Sequence, residues 1–296
     1  MSLEFAYYPG CAAKQIQREA DWAAREVSQQ LGIRLLDMPR ASCCGAVSLR
    51  ETKPSFAMAV AARILSEAEA MGRDLVTICN TCLQTLSQAN YRLQNEPELL
   101  EKINVVLAEG GVRAYQGKVQ VRHLLWVITE QVDPHLLRTK ITHPLKGMRI
   151  AAFLGCHSVR PEEIFAQPAN KENTPHLDRL ITIMGGVPVT YTGKDRCCGF
   201  HVMLSDKNEV HAMAAKNCLS AKDAGAQIMI TPCTLCDMIM GSSQELAAKT
   251  VQRTIDLPEM NFAQLLGLSM GISKSKLGIS RLHIDPSFAL SKVGLA

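Results

Sequence analysis

Cys43-Cys44-Gly45 followed by Cys79-Asn80-Thr81-Cys82, and later Cys197-Cys198-Gly199 followed by Cys233-Thr234-Leu235-Cys236, are the stretches that decide how this chain is read. In both copies 34 residues separate the cysteine pair from the Cys-x-x-Cys. A single cysteine opens each copy: Cys11, with 31 residues between it and the first pair, and Cys156, with 40 residues between it and the second. Ten of the eleven cysteines thus belong to one five-cysteine pattern written twice. Packing gives cysteines no reason to recur in register as a single, an adjacent pair and a Cys-x-x-Cys. The pattern reads as a duplicated metal site.

Length and composition set the limits around that pattern. With 296 residues and 47% hydrophobic content the chain can bury two ordinary cores, and the duplication assigns one to each half. The expected domains are residues 1–145 and 146–296. The net formal charge of +4, from 32 basic and 28 acidic side chains, is mild and not gathered into runs. A nucleic-acid partner, which calls for a basic stripe, is therefore not expected. The start MSLEFAYYPGC shows no charged leader before an apolar segment, and no stretch approaches the ~18 consecutive apolar residues of a membrane span. A cytoplasmic protein without a membrane span is expected. Thiols stay reduced there, so the cysteines read as metal ligands before they read as disulfides.

The segments around the cysteines alternate between strand and helix patterns. Leu3 to Tyr8 and Arg149 to Leu154 are short apolar runs ending at Cys11 and Cys156, as strands delivering a cysteine at their C-terminal ends would be. The pattern predicts a helix from Gln15 to Leu31 stopped by Gly32, then a strand from Ile33 to Met38. Its counterparts are a helix from Thr174 to Met184 and a strand from Val187 to Tyr191. Two adjacent cysteines can face one site only if the chain turns sharply after them, which Gly45 and Gly199 permit. Helices are predicted from Ser55 to Met71 and Lys207 to Ala224, leading into buried strands from Asp74 to Ile78 and Ala226 to Thr231. Each Cys-x-x-Cys then opens a helix, whose N-terminal amides favour anionic sulfur. Further helices are expected from Glu96 to Gly110, Lys118 to Gln131, Ser242 to Thr250 and Asn261 to Leu268, with a linker from Asp133 to Met148. The tail from Gly271 reads as irregular and packed on the surface. The fold class is α/β: two similar domains from internal duplication, each a small, mostly parallel sheet flanked by helices.

Five cysteines per copy are one too many for a structural zinc site. Thiolates without His or Asp at fixed spacing select soft-metal or iron-sulfur chemistry. Ferredoxin-type runs pack their cysteines within one loop, whereas these come from three separated loops. They suit a larger or less regular iron-sulfur cluster, of a type that spacing alone does not choose.

The duplicated pattern, together with Gly155-Cys156-His157-Ser158-Val159-Arg160-Pro161, resembles the cysteine-rich CCG-domain family whose best-known member is the B subunit of heterodisulfide reductase. The resemblance extends through Gln264-Leu265-Leu266-Gly267-Leu268 to Leu282-His283. It implies two noncubane 4Fe-4S clusters, one on Cys11, Cys43, Cys44, Cys79 and Cys82, the other on Cys156, Cys197, Cys198, Cys233 and Cys236. It also implies a catalytic oxidoreductase subunit that cleaves or forms a disulfide, or oxidises carrier-bound sulfur. The implied partners are a ferredoxin-like iron-sulfur subunit of the C type, a flavin-containing subunit of the A type, and a lipoate-binding sulfur carrier protein. Members of the wider family serve in lactate, glycolate and glycerol-3-phosphate oxidation, so the alternative is a non-catalytic subunit passing electrons from a flavin-dependent dehydrogenase to a quinone.

His157 and His201 adjoin the ligand positions, so each is a candidate proton donor to a leaving thiolate, or else a structural hydrogen-bonding residue. Cys218 falls outside the pattern, mid-helix, and reads as a buried structural thiol. The 13 methionines read as core or interface filler.

Overall fold

The computed structural model describes residues 3–46, 48–165 and 176–295. The first half runs β1 (Leu3–Tyr8), α1 (Gly10–Gln15), α2 (Arg18–Gln30), β2 (Ile33–Asp37), α3 (Ser48–Thr52), α4 (Pro54–Ala70), β3 (Leu75–Thr77), α5 (Asn80–Asn95), α6 (Pro97–Glu109), β4 (Val121–His123), α7 (Leu124–Glu130) and α8 (Pro134–Lys140). The second runs β5 (Arg149–Ala152), α9 (Glu162–Phe165), α10 (His176–Ile183), β6 (Val187–Pro188), α11 (Lys207–Asp223), β7 (Ile228–Thr231), α12 (Thr234–Ser242), α13 (Gln244–Val251), β8 (Glu259–Asn261), α14 (Phe262–Ser269) and α15 (Ser287–Ser291).

Each half builds a four-stranded sheet, in the orders β2-β1-β3-β4 and β6-β5-β7-β8. Every pairing is parallel. Parallel strands are covered on both faces and so carry near-continuous apolar side chains; Phe5, Ala6, Tyr7 and Tyr8 of β1 and all of β7 are buried. In both sheets the chain crosses from the first strand to one side and then to the other. That reversal lies between β1 and β3, and between β5 and β7. Ligands of such sheets gather beyond the carboxyl ends of the strands at this point.

The expectation of one core per half is corrected by the packing. Two apolar clusters form, and each draws on both halves. One joins Val27, Ile78 and Leu125 to Ile150, Leu180 and Leu277. The other joins Leu65, Leu86 and Tyr115 to Phe153 and Met240. Strands of two to six residues give each half little apolar surface to close on itself, so the halves bury it against each other.

Several element boundaries also differ from the sequence reading. The helix expected from Gln15 to Leu31 is two, broken at Ile16 and Gln17. Lys118 to Gln131 holds the edge strand β4 before helix α7, and β8 precedes α14 in the same way. The linker contains α8, whose start Asp133 caps by accepting from the amides of His135 and Leu136. β6 is only Val187–Pro188, because proline cannot donate to a ladder. Residues 174 and 175 of the expected Thr174 to Met184 helix lie outside the described residues. The tail is not merely superficial: Leu277, Ile279 and Leu290 enter the first cluster. Among the described residues, no helix is long and apolar enough to cross a membrane.

Candidate metal centre

All ten patterned cysteines stand just beyond the carboxyl ends of the first three strands of their half, or in the loops that follow them. Cys79 and Cys233 are the N-cap residues of α5 and α12, both in extended conformation. The amides of Cys79 and Cys233 donate to the hydroxyls of Thr77 and Thr231, at 3.3 and 3.4 Å, which fixes each turn from strand to helix. Gly45 and Gly199 take the positive φ expected of them, +73° and +100°, and their amides reach back to Cys43 and Cys197 Sγ at 3.5 and 3.3 Å.

Gly10 and Gly155, each just before the first cysteine of its copy, show why glycine is required there. A Cβ on Gly10 would stand 2.9 Å from Cys82 Sγ, and one on Gly155 would stand 3.1 Å from Cys236 Sγ. Both residues also hold positive φ, +83° and +71°. The backbone has been brought against the last thiol of each copy as closely as a residue without a side chain allows.

Within the first copy, Cys11 and Cys43 Sγ lie 3.4 Å apart and Cys44 and Cys82 Sγ 3.6 Å apart. The copies also meet: Cys79 Sγ is 3.9 Å from Cys233 Sγ. Cys11 and Cys43 are exposed, Cys156 and Cys197 half-buried, and the other six patterned thiols buried. Hydrogen bonds from Cys11 and Cys44, with the Gly45 amide, pull the Cys43 thiol down to about 2, and Cys11, as the donor, is raised. Cys197 is likewise pulled down to about 2 by Cys156, Cys198 and the Gly199 amide, and Cys156 is raised. Burial acts to raise Cys233, but hydrogen bonds from Cys236 and Cys79 and from the backbone amides of Cys236 and Leu235 outweigh it and hold Cys233 low. Each copy therefore holds thiols biased toward the anionic form, Cys43 in the first and Cys197 and Cys233 in the second.

Asn80, Thr81, Cys156, His157, Cys197, Phe200, His201, Cys233 and Leu235 are among the residues around a narrow cavity at the junction of the halves. His157 Nδ1 is 3.1 Å from Thr81 Oγ1, and the His157 and His201 rings are 4.6 Å apart at 63°. The two histidines singled out in the sequence are thus brought together, beside the second cysteine set. Burial, then the neighbouring His201, lowers His157 to about 4. Helix α5 of the first half seats this part of the second, through Asn80 Nδ2 to Leu154 O at 2.7 Å and Gln84 Nε2 to Arg160 O at 2.8 Å.

Sequence reasoning missed Thr77, Thr231, Thr81 and His123. Buried His123 accepts from the Leu125 amide at Nδ1, so its Nε2 carries the proton and donates to Pro232 O at 2.8 Å, across the junction. The threonines that precede each Cys-x-x-Cys recur in register, a signal as good as the cysteines themselves. Cys218 is buried in α11, and burial raises its thiol to about 12, as an inert core group. Among the described residues, no three His, Cys, Asp or Glu side chains converge at the spacing of a single metal ion.

The donor set fits an iron-sulfur group: five thiols per copy, delivered from three loops, with backbone amides and a glycine cradle against them. A family model described as "Cysteine-rich domain", CCG, matches residues 5–87 and again 150–241. The chain is 32% identical to the 8-methylmenaquinol:fumarate reductase membrane anchor subunit of Wolinella succinogenes, covering 96% of this chain and 98% of that one. It is 29% identical to the B subunit of the ferredoxin/F420H2-dependent CoB-CoM heterodisulfide reductase of Methanosarcina acetivorans, covering 98% and 97%. A protein of Archaeoglobus profundus, described as like the heterodisulfide reductase B subunit, is also 29% identical, covering 93% of each. A crystal structure of a hypothetical protein from Helicobacter pylori shares the fold, with a TM-score of 0.72 at 14% identity. The match covers 95% of this chain and about half, 51%, of that one.

Proposed function

The chain belongs to the CCG cysteine-rich domain family, and on that premise we propose that it is the catalytic subunit of a heterodisulfide reductase-like complex. In this reading Cys11, Cys43, Cys44, Cys79 and Cys82 hold one noncubane 4Fe-4S cluster, and Cys156, Cys197, Cys198, Cys233 and Cys236 the other. When bound, the clusters would supply single electrons and iron positions open to sulfur. The observation that carries the reading is the 3.9 Å approach of Cys79 to Cys233, which brings the two thiol groups together beside a cavity lined by the cysteines of the second. Around that cavity Phe200 and Leu235 exclude water, and Thr81 orients the His157 ring. Cleaving a disulfide consumes two electrons and two protons, and His157 and His201 are the groups proposed to pass the protons to the departing sulfurs. The partners would be a ferredoxin-like subunit, a flavin-containing one and, if the complex runs oxidatively, a lipoate-bound sulfur carrier.

A second reading, an electron-transfer subunit serving a quinone system, is favoured by the Wolinella succinogenes relative, whose name is that of a quinol:fumarate reductase subunit. Anaerobic reconstitution separates these. About eight irons per chain are expected, as two four-iron clusters, and a small disulfide should change the EPR spectrum of the reduced protein. His157→Ala and His201→Ala should keep their iron, and at least one should slow disulfide turnover by about 10²-fold. Stoichiometric zinc without acid-labile sulfide would overturn both readings. Full iron with a spectrum indifferent to disulfides would leave only the second.

A further inference from the structure

The edge strands β4 and β8 hold the same place in the two sheets, yet they end on different residues. In the first sheet Thr77 pairs in register with His123, and in the second Thr231 pairs with Asn261. These are the threonines whose hydroxyls accept from the amides of Cys79 and Cys233. His123 and Asn261 are therefore equivalent, and both are buried. Each is also the N-cap of the helix that follows: the Leu125 amide donates to His123 Nδ1 and the Ala263 amide to Asn261 Oδ1, both at 3.1 Å.

Beyond the cap the two differ. The Asn261 side chain ends at its amide, and its buried Nδ2 has no hydrogen-bond partner among the described residues. The imidazole is longer, so with Nδ1 engaged in the cap its Nε2 proton still reaches Pro232 O, at 2.8 Å. Pro232 lies in the other half and directly precedes Cys233. One aromatic ring from each half packs against the imidazole, Trp126 with ring centres 6.3 Å apart and Phe262 with ring centres 6.0 Å apart. The bond thus links the sheet that delivers Cys79 to the turn that presents Cys233, the two residues whose sulfurs meet at 3.9 Å.

His123 is not among the residues around the cavity, so its place suits positioning and not proton transfer to a substrate. We propose that His123 couples the two copies: by holding the Pro232 carbonyl it sets how closely Cys233 approaches Cys79, and so how strongly each cluster senses the state of the other. Without this donor a buried carbonyl is left unsatisfied, a penalty that the turn into Cys233 relieves only by moving. The equivalent Asn261 makes the bridge one-way, from the first half onto the second. The inference rests on the iron-sulfur part of the reading above, and not on disulfide chemistry.

The test separates the two roles of the ring. Asparagine keeps an acceptor where Nδ1 lies, as Asn261 does, but lacks the reach to Pro232; glutamine places a donor near Nε2 but is a poor helix cap. His123→Asn should retain about eight irons per chain. In EPR of the reduced protein with no disulfide present, it should lose the broadening that each reduced cluster imposes on the other. His123→Gln should keep the parent's broadening while lowering the midpoint of thermal unfolding. Iron lost from His123→Asn but held by His123→Gln would equally support the bridge. Broadening unchanged in His123→Asn, or broadening or iron lost alike from both variants, would overturn it, as would a fully loaded parent with no broadening to lose. Zinc without sulfide would overturn the iron-sulfur reading and the coupling with it; NMR of the protein carrying labelled histidine then reads the bond alone, supported by a slowly exchanging His123 Nε2 proton and overturned by a rapidly exchanging one. Loss of disulfide turnover with the broadening intact would count against the catalytic reading and leave the coupling standing.

Discussion

Gly10 and Gly155 show how narrowly single residues set this site. A Cβ at either would come to within about van der Waals overlap of the last thiol of its copy, at 2.9 and 3.1 Å, from a backbone in the left-handed region. Gly10→Ala therefore meets two penalties at once, a positive φ costing about 1 kcal/mol or more and a contact with Cys82 that must shift. We expect it to lower the midpoint of thermal unfolding and to lose iron from the first copy. Gly155→Ala should do the same to the second, somewhat more mildly because its contact is longer. Iron analysis beside a thermal melt checks both, and full iron in Gly10→Ala would show that the loop relaxes without disturbing the thiol. The same pair of residues marks the limit of the sequence reading. The ten cysteines were legible because a rare residue type repeated in register, but the need for glycine beside each follows only from where Cys82 and Cys236 stand in space.

At the scale of elements, the cysteine loops repeat because the strands beneath them repeat, and both sheets put their reversal of direction at the same place. Strand-helix alternation made β1, β2, β3, β5 and β7 readable. It hid β4 and β8, since a three-residue edge strand running directly into a helix leaves no periodicity of two to detect. The break at Ile16 and Gln17 was hidden for a related reason: no glycine or proline marks it. With each cysteine pair on its own sheet, Cys44→Ser and Cys198→Ser should each remove about half the iron while keeping the helical circular dichroism. The 3.9 Å contact of Cys79 with Cys233 adds a second expectation: the surviving cluster should show a shifted EPR spectrum, since its neighbour is gone. Loss of all iron from either variant would mean that the sites assemble only together.

Across the whole molecule, the duplication that was plain in the sequence does not produce two separate bodies, because no pattern of residue types reveals which apolar faces will meet. The tail makes the point. Leu277 is fully buried in the cluster that also holds Val27 of α2, and Gly278 lies so close to α2 that a Cβ there would stand 2.5 Å from that of Glu19. Arg281 Nε pairs with buried Glu19 at 2.8 Å, and its guanidinium lies 5.8 Å from the Trp22 ring centre. Lys276 reaches Glu26 at 3.1 Å. The last segment of the second half is thus strapped along a helix of the first. Leu277→Ala leaves a cavity in that shared cluster and should cost about 2–5 kcal/mol. Because the cluster spans both halves, the loss should lower one cooperative unfolding transition rather than split it. Calorimetry, or denaturant melts followed by circular dichroism and by tryptophan fluorescence, reads this directly. Coincident curves shifted together support a single cooperative core, whereas two transitions, only one of them moved, would show that the halves fold apart and that the shared clusters contribute little to holding them.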